Sequence, residues 1–295
     1  MRTFFIKQNG AVAAFFSMLL AVSAMRADVF FVSFENTNTV RNYAADGTDL
    51  GVFASEGLDL PCGLAFDNDH CLYVVSQGTN TVRKFSATGQ DLGVFIKSGL
   101  NIPSGIAIDK NGNVYVANAG SSSIEKFSPT GADLGVFISN GLHGPSGLAF
   151  DKGGNLYVAN MFSKTVGKFS TVGADLGTYG VKSLNEPKGV AIDDGGYIYA
   201  TNSFTRTVQK FALKPDDNSA TFAKSGINGP SGMAFDSAGN LYVVNAGNNT
   251  VQKFSSTGED LGAFINAGTN HPSFIAILQD PKPVLVSPSP SPAKK

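Results

Sequence analysis

The sequence predicts an all-β fold: a six-bladed β-propeller of four-stranded antiparallel blades, its ring closed by the C-terminal strand joining the N-terminal blade. Three observations carry this prediction. A phrase recurs along the chain, as "IPSGIAIDKNGNVYVAN" from Ile102, "GPSGLAFDKGGNLYVAN" from Gly144 and "GPSGMAFDSAGNLYVVN" from Gly229. Counted from the Pro before each "SG", or its counterpart, complete units span 61–102, 103–144, 145–186, 187–229 and 230–271. The flanking fragments are complementary, because 28–60 lacks the opening of a unit and 272–279 supplies only an opening.

Each unit contains four strand segments, such as "SGLAFD", "NLYVAN", "TVGKFS" and "ADLGVF". All are rich in β-branched or aromatic residues and bounded by Gly, Asn, Asp or Ser. "DKGGN" carries the chemistry of a tight hairpin turn. Between the third and fourth segments, "SATGQD", "SPTGAD" and "SSTGED" offer Gly89, Gly131 and Gly258 for a positive-φ position. A four-stranded meander repeated about every 40 residues buries both faces only against its own copies, which is the arrangement of propeller blades. Burial on both faces also accounts for the weak polar–apolar alternation. Closing the ring with strands from both chain ends removes open sheet edges.

The ends differ in composition. Residues 1–27 are expected to be a signal peptide: Arg2 and Lys7 precede the apolar "AVAAFFSMLLAVSA", with cleavage after Ala24 or Ala27. The propeller is expected over 28–279, and the Pro/Ser-rich 280–295 as a disordered tail. These boundaries predict a monomer that is secreted or periplasmic, in the cell envelope, with no membrane span after signal cleavage. With 22 basic and 23 acidic residues and no dense run of either sign, the chain lacks the electrostatic footprint of a nucleic-acid partner. Cys62 and Cys71 fall at opposite ends of one predicted hairpin, too far apart for a disulfide, so free thiols are expected.

The stretch "PSGLAFDKGGNLYVANMFSKTVGKFS" resembles the NHL repeat: a Pro-x-Gly opening, an apolar strand ending in Asp, a Gly-Asn turn, a strand ending in Asp or Asn, and a third strand ending in an aromatic. The resemblance extends over about 250 of the 295 residues. It implies a platform for protein or RNA ligands. More distantly, the ring is similar to the regucalcin and gluconolactonase-like propellers, which hold calcium with acidic and Asn ligands at the central mouth. Related six-bladed lyases use His with acidic partners.

Antiparallel order places the start of every first strand and the exit of every second strand on one face. That face carries Cys62, Ser104, Ser146, Lys188, Ser231 and Ser273, and the exit residues Phe34, Ser76, Asn118, Asn160, Asn202 and Asn245. Ser76 and the four Asn are expected to form a polar ring around the central mouth. Asn118, Asn160 and Asn202, with Glu186 and Glu35 in neighbouring loops, are the candidates for holding calcium or another divalent cation. The competing structural role for the Asn is to tie the strand exits to the following loop; on that reading no cofactor is expected. His70, His143 and His271 have no acidic partner recognisable in the sequence. The repeated Asp67, Asp109, Asp151, Asp193 and Asp236 fit turn capping, and Lys84, Lys126, Lys168, Lys210 and Lys253 fit long stems laid over apolar surface.

Departures from the repeat concentrate in two loops. Where other units read "NAGSSS" or "NAGNNT", adjacent units read "NMFSKT" and "NSFTRT", placing Met161, Phe162, Lys164, Phe204 and Arg206 beside Lys188, which replaces the usual Ser. Aromatics next to cations suit a protein, peptide or glycan contact. The expected function is therefore a binding scaffold, with no catalytic residue assigned. The alternative is a metal-dependent lactonase, hydrolase or lyase of the gluconolactonase-like kind.

Overall fold

The computed structural model describes residues 27–212 and 219–279, so the proposed signal peptide, save its last residue, and the proposed tail lie outside the described residues. Six four-stranded antiparallel sheets form a ring. The innermost strands of blades 1, 2, 3 and 5 begin at Pro61, Pro103, Pro145 and Pro230, that of blade 4 is the shorter Val190–Ile192, and blade 6 joins the two ends of the described chain. In blade 6, Pro272–Leu278 is the innermost strand and pairs antiparallel with Val29–Phe34, which is followed by Thr39–Tyr43 and Asp49–Ala54. The split unit closes the ring as the sequence predicts.

Blade 3 illustrates the unit: Pro145–Phe150, Leu156–Asn160, Thr165–Phe169 and Asp175–Tyr179 run from the axis outward. Every residue of Leu156–Asn160 is buried, because both faces of the strand meet a neighbouring blade. The apolar core accordingly lies in the interfaces between blades. Tyr115, Ala117 and Ile138 of blade 2 pack on Leu156, Val158 and Phe169 of blade 3. Fully burying each large side chain contributes about 1.5–3 kcal/mol.

Near the axis, backbone meets backbone. A Cβ on Gly105 would overlap the carbonyl oxygen of Ser146 in the next blade, and one on Gly63 would overlap that of Ser104. The Gly of "PSG" is thus required by inter-blade approach, not by a turn. At the periphery, Asp133 Oδ1 accepts the Gly135 N–H at 2.8 Å, and the ladder slips between Glu125 and Phe127. Such irregularities discourage pairing of an outer edge with another chain.

The turn face follows one design. In blade 2, Asp109 accepts N–H bonds from Asn111 and Asn113 at 2.9 Å, and its other oxygen accepts Asn113 Nδ2 at 2.8 Å and Tyr115 O–H at 3.2 Å. Burial opposes ionisation of Asp109, but these donors outweigh it and lower the pKa. Burial beside the aspartate pushes the Tyr115 phenol up, and the equivalent Tyr157 rises to about 12. Lys126 Nζ lies 5.2 Å from the Tyr115 ring centroid, so the repeated Lys lies over an aromatic face. Cys62 and Cys71 are both free, and burial pushes the Cys62 thiol up to about 12.

Candidate functional site at the mouth of the ring

Two left-handed backbone positions per blade shape the opposite face. The residue before each unit's Pro has positive φ in all six blades: Leu60, Ile102, Gly144, Glu186, Gly229 and His271. So does the residue before each third strand: Asn38, Asn80, Ser122, Lys164, Arg206 and Asn249. Asn tolerates this conformation better than most residues. Here it also bonds onward, since Asn38 Oδ1 accepts Leu60 N–H at 2.9 Å, Asn80 accepts Ile102 N–H at 2.8 Å and Asn249 accepts His271 N–H at 3.0 Å. Ser122 Oγ receives Gly144 N–H in the same way. Each of these bonds links successive blades.

The ring expected from Ser76, Asn118, Asn160, Asn202 and Asn245 is placed differently. All five are buried, and their side chains turn back into the loop that precedes their own blade. Asn202 Oδ1 accepts Asn185 N–H at 2.9 Å while its Nδ2 donates to Ser183 C=O at 2.8 Å. Asn118, Asn160 and Asn245 make the same two-way tie, and Ser76 Oγ bonds both N–H and C=O of Asp59. The tied loop precedes the blade, where the sequence reading has it following the strand. The side chains that line the mouth come one residue later, including Glu35, Gln77 and Met161. Direction reverses between successive residues where a strand ends, and that single step separates a structural ring from a lining ring.

The mouth is a cavity of about 420 Å³ to which all six blades contribute. Its apolar surface includes Ile102, Met161, Phe162 and Phe274; Lys188, Glu35 and His271 supply charge or titratable groups. Of the predicted binding residues, Met161, Phe162 and Lys188 line it, while Lys164, Phe204 and Arg206 do not. Phe162 is 56% exposed and Phe204 70% exposed. Phe162 lies over Gly144 and meets the His143 ring edge-on at 5.4 Å. Glu186 is exposed and is not in the lining, and among the described residues no three or more His, Cys, Asp or Glu cluster as a metal site.

Blades 3 and 4 differ by what they give up. Lys164 and Arg206 occupy the position where Asn or Ser bonds the next blade, and neither side chain can accept an N–H. Lys188 stands where Ser104 Oγ donates to Pro145 C=O at 3.0 Å and Ser231 Oγ donates to the next blade's Ser273 C=O. Thr201 takes over that duty, donating to Ser231 C=O at 3.0 Å and accepting Gly189 N–H at 2.7 Å. Four of the other blades carry Val75, Ala117, Ala159 or Val244 at the Thr201 position, and blade 6 carries Ser33.

Two site features escape the sequence reading. His271 Nδ1 lies 3.1 Å from Glu35 Oε2, so His271 does have an acidic neighbour, without hydrogen-bond geometry between the two side chains. The two residues are 236 positions apart in sequence (271 less 35) and meet only because ring closure bonds Glu35 N–H to His271 C=O at 3.1 Å. The second is Phe274, which replaces the Gly of "PSG" and lines both the mouth and the narrow axial space. Its signal, "PSF" against "PSG", is visible in the repeat.

Comparison with known proteins agrees with this architecture. The family model described as NHL repeat matches residues 100–127 and 228–254, and the chain is a six-bladed β-propeller bearing such repeats. No curated protein matches it in sequence. Among solved structures, the ring is similar to a chain of a nidogen/laminin complex, with TM-score 0.75 and 18% identity over 85% of this chain and 98% of that one. It is also similar to a protein of unknown function from Bacteroides caccae, with TM-score 0.69 and 16% identity over 86% of this chain and 100% of that one. Virginiamycin B lyase from Staphylococcus aureus matches with TM-score 0.60 and 14% identity over 72% and 73% of the two chains. These likenesses show the fold.

Proposed function

We propose that the chain is an exported, monomeric binding scaffold that captures a protein or peptide partner, with no cofactor, on the rim formed by blades 3 and 4. One observation carries this reading: Lys164 and Arg206 displace the residues that lock blades together, and they do so beside the exposed Phe162 and Phe204. A left-handed Lys or Arg that forgoes an inter-blade bond weakens the ring, a cost that function explains. The cations favour an acidic partner, and the aromatics favour one with apolar anchors. A propeller of similar fold has been solved in a nidogen/laminin complex, which supports the reading by analogy. A glycan would use the same aromatic surface.

The test exploits the opposition between stability and binding. R206N restores an Asn acceptor in the left-handed position and is expected to raise stability by about 0.5–1.5 kcal/mol in urea unfolding. The same variant combined with F204A should lose the acidic, apolar peptides that wild type selects from a displayed library. Selection of the same peptides by wild type and variant would refute the rim assignment.

The His271–Glu35 contact favours a second reading, acid–base chemistry of a lyase or hydrolase at the mouth. A similar propeller, virginiamycin B lyase, has been solved as a catalytically inactive His-to-Ala variant with quinupristin. Turnover of cyclic esters, abolished by both H271A and E35Q, would establish this reading; a chelator arm would reveal any need for calcium or another divalent cation.

A further inference from the structure

We propose that the mouth is a blind cup that binds a small amphipathic organic anion, with Phe274 as its floor and Lys188 as its anion contact. Five blades carry a Gly in the opening, and four of these, Gly63, Gly105, Gly147 and Gly189, line a narrow axial space of about 60 Å³. Phe274 lines both that space and the mouth above it. One aromatic ring therefore divides an axial channel into a cup and a remnant below.

Phe274 and Lys188 are departures from the same three-residue opening, "PSF" and "PKG" against "PSG". Each is accompanied by a hydroxyl on the neighbouring strand that holds the altered opening in place. Ser33 Oγ accepts Phe274 N–H at 3.0 Å and lies 3.4 Å from Phe274 C=O, while Thr201 Oγ1 accepts the Lys188 and Gly189 N–H groups at 3.3 and 2.7 Å. Ser33 and Thr201 occupy equivalent positions, which Val or Ala fills in the other four blades. Two independent departures, each supported by the same device and both reaching one cavity, mark that cavity as a built site.

The chemistry of the lining selects the ligand. Ile102, Met161, Phe162 and Phe274 offer an apolar interior of a volume typical of small-molecule pockets. Glu35 is the carboxylate in the lining and lies against His271. Lys188 has no ion pair among the described residues, so an anionic group on an apolar body matches the cup by charge.

The experiment titrates the purified full chain with 1-anilinonaphthalene-8-sulfonate and with its uncharged relative N-phenyl-1-naphthylamine, following probe fluorescence. The wild type should bind the sulfonate saturably, at one site per chain. K188S/T201V restores the residue types of the other blades and so preserves the fold; it should weaken the sulfonate by at least about tenfold while leaving the neutral probe unchanged. F274G, which restores the repeat's Gly, should weaken both probes, whereas F274L should retain them. F204A/R206N should leave both probes bound, so failure of the partner-binding rim and failure of the cup are separately visible. Multiple weak sites in the wild type, or equal sulfonate affinity in K188S/T201V, would overturn the proposal.

Discussion

The two faces of the ring use the same repeat in opposite ways. On the turn face, the Asp–Tyr pairing recurs in five blades with the same partners: Asp67–Tyr73, Asp109–Tyr115, Asp151–Tyr157, Asp193–Tyr199 and Asp236–Tyr242. On the mouth face the backbone repeats while the side chains vary, so that one left-handed position holds Asn, Ser, Lys or Arg. Uniformity reports structural duty, since every copy must solve the same packing problem. Variation on a constant backbone reports freedom from that duty, and it is there that charge and aromatic surface collect.

The sharpest way to break this comparison is one substitution made in both regions. G105A brings a methyl into the Ser146 carbonyl, where backbone on both sides leaves nothing to yield. The expected cost is about 3 kcal/mol or more, up to failure to fold. G153A lies on the turn face with only side-chain atoms near its added Cβ, none under 3.2 Å. It should change stability by no more than about 0.5 kcal/mol. Urea unfolding of the two variants measures the contrast, and equal losses would show that the axial Gly is not the tight point of the ring.

A smaller effect separates structural from ligand-holding Asn. N202A removes a buried side chain and leaves the half-buried Asn185 N–H and Ser183 C=O without this partner, and should cost about 1–3 kcal/mol. The loss should be the same with calcium and with a chelator. A loss seen only when calcium is present would assign Asn202 to a metal site and overturn its structural role.

Much of this was legible in the sequence because repetition multiplies weak signals. One "DKGGN" is a turn; five related turns at a fixed period, with complementary half-units at the ends, specify a closed ring. The axial Gly was legible as a repeated residue but not as a contact, because its reason lies in the next blade. The recurrence of Asn118, Asn160, Asn202 and Asn245 is visible in the sequence, yet whether an exit side chain faces the axis or a loop depends on local backbone direction, which a repeat pattern does not carry. His271 and Glu35 were invisible as a pair because closure alone brings them together. Lys188 and Phe274 are both breaks in the repeat, whereas the roles of Ser33 and Thr201 beside them depend on contacts that only the folded ring creates.

The finest contrast lies among the blades, at the centre of the third strand. Blade 6 places Arg41 against Asp49 and blade 1 places Arg83 against Asp91, whereas blade 2 has Glu125 in the Arg position, near Asp133. Burial pushes the Glu125 carboxyl up, and the charge of Asp133 adds to the rise. A carboxyl whose folded pKa exceeds its unfolded value binds protons more tightly in the folded state. Its contribution to stability is therefore full below the unfolded pKa and is lost as pH rises through the folded pKa. E125Q removes that dependence. Relative to wild type, the variant should gain stability between about pH 3 and about pH 8, by less than about 1 kcal/mol. Urea unfolding at the two pH values checks it, and a difference that stays flat would mean Glu125 is ionised as readily in the blade as in the unfolded chain.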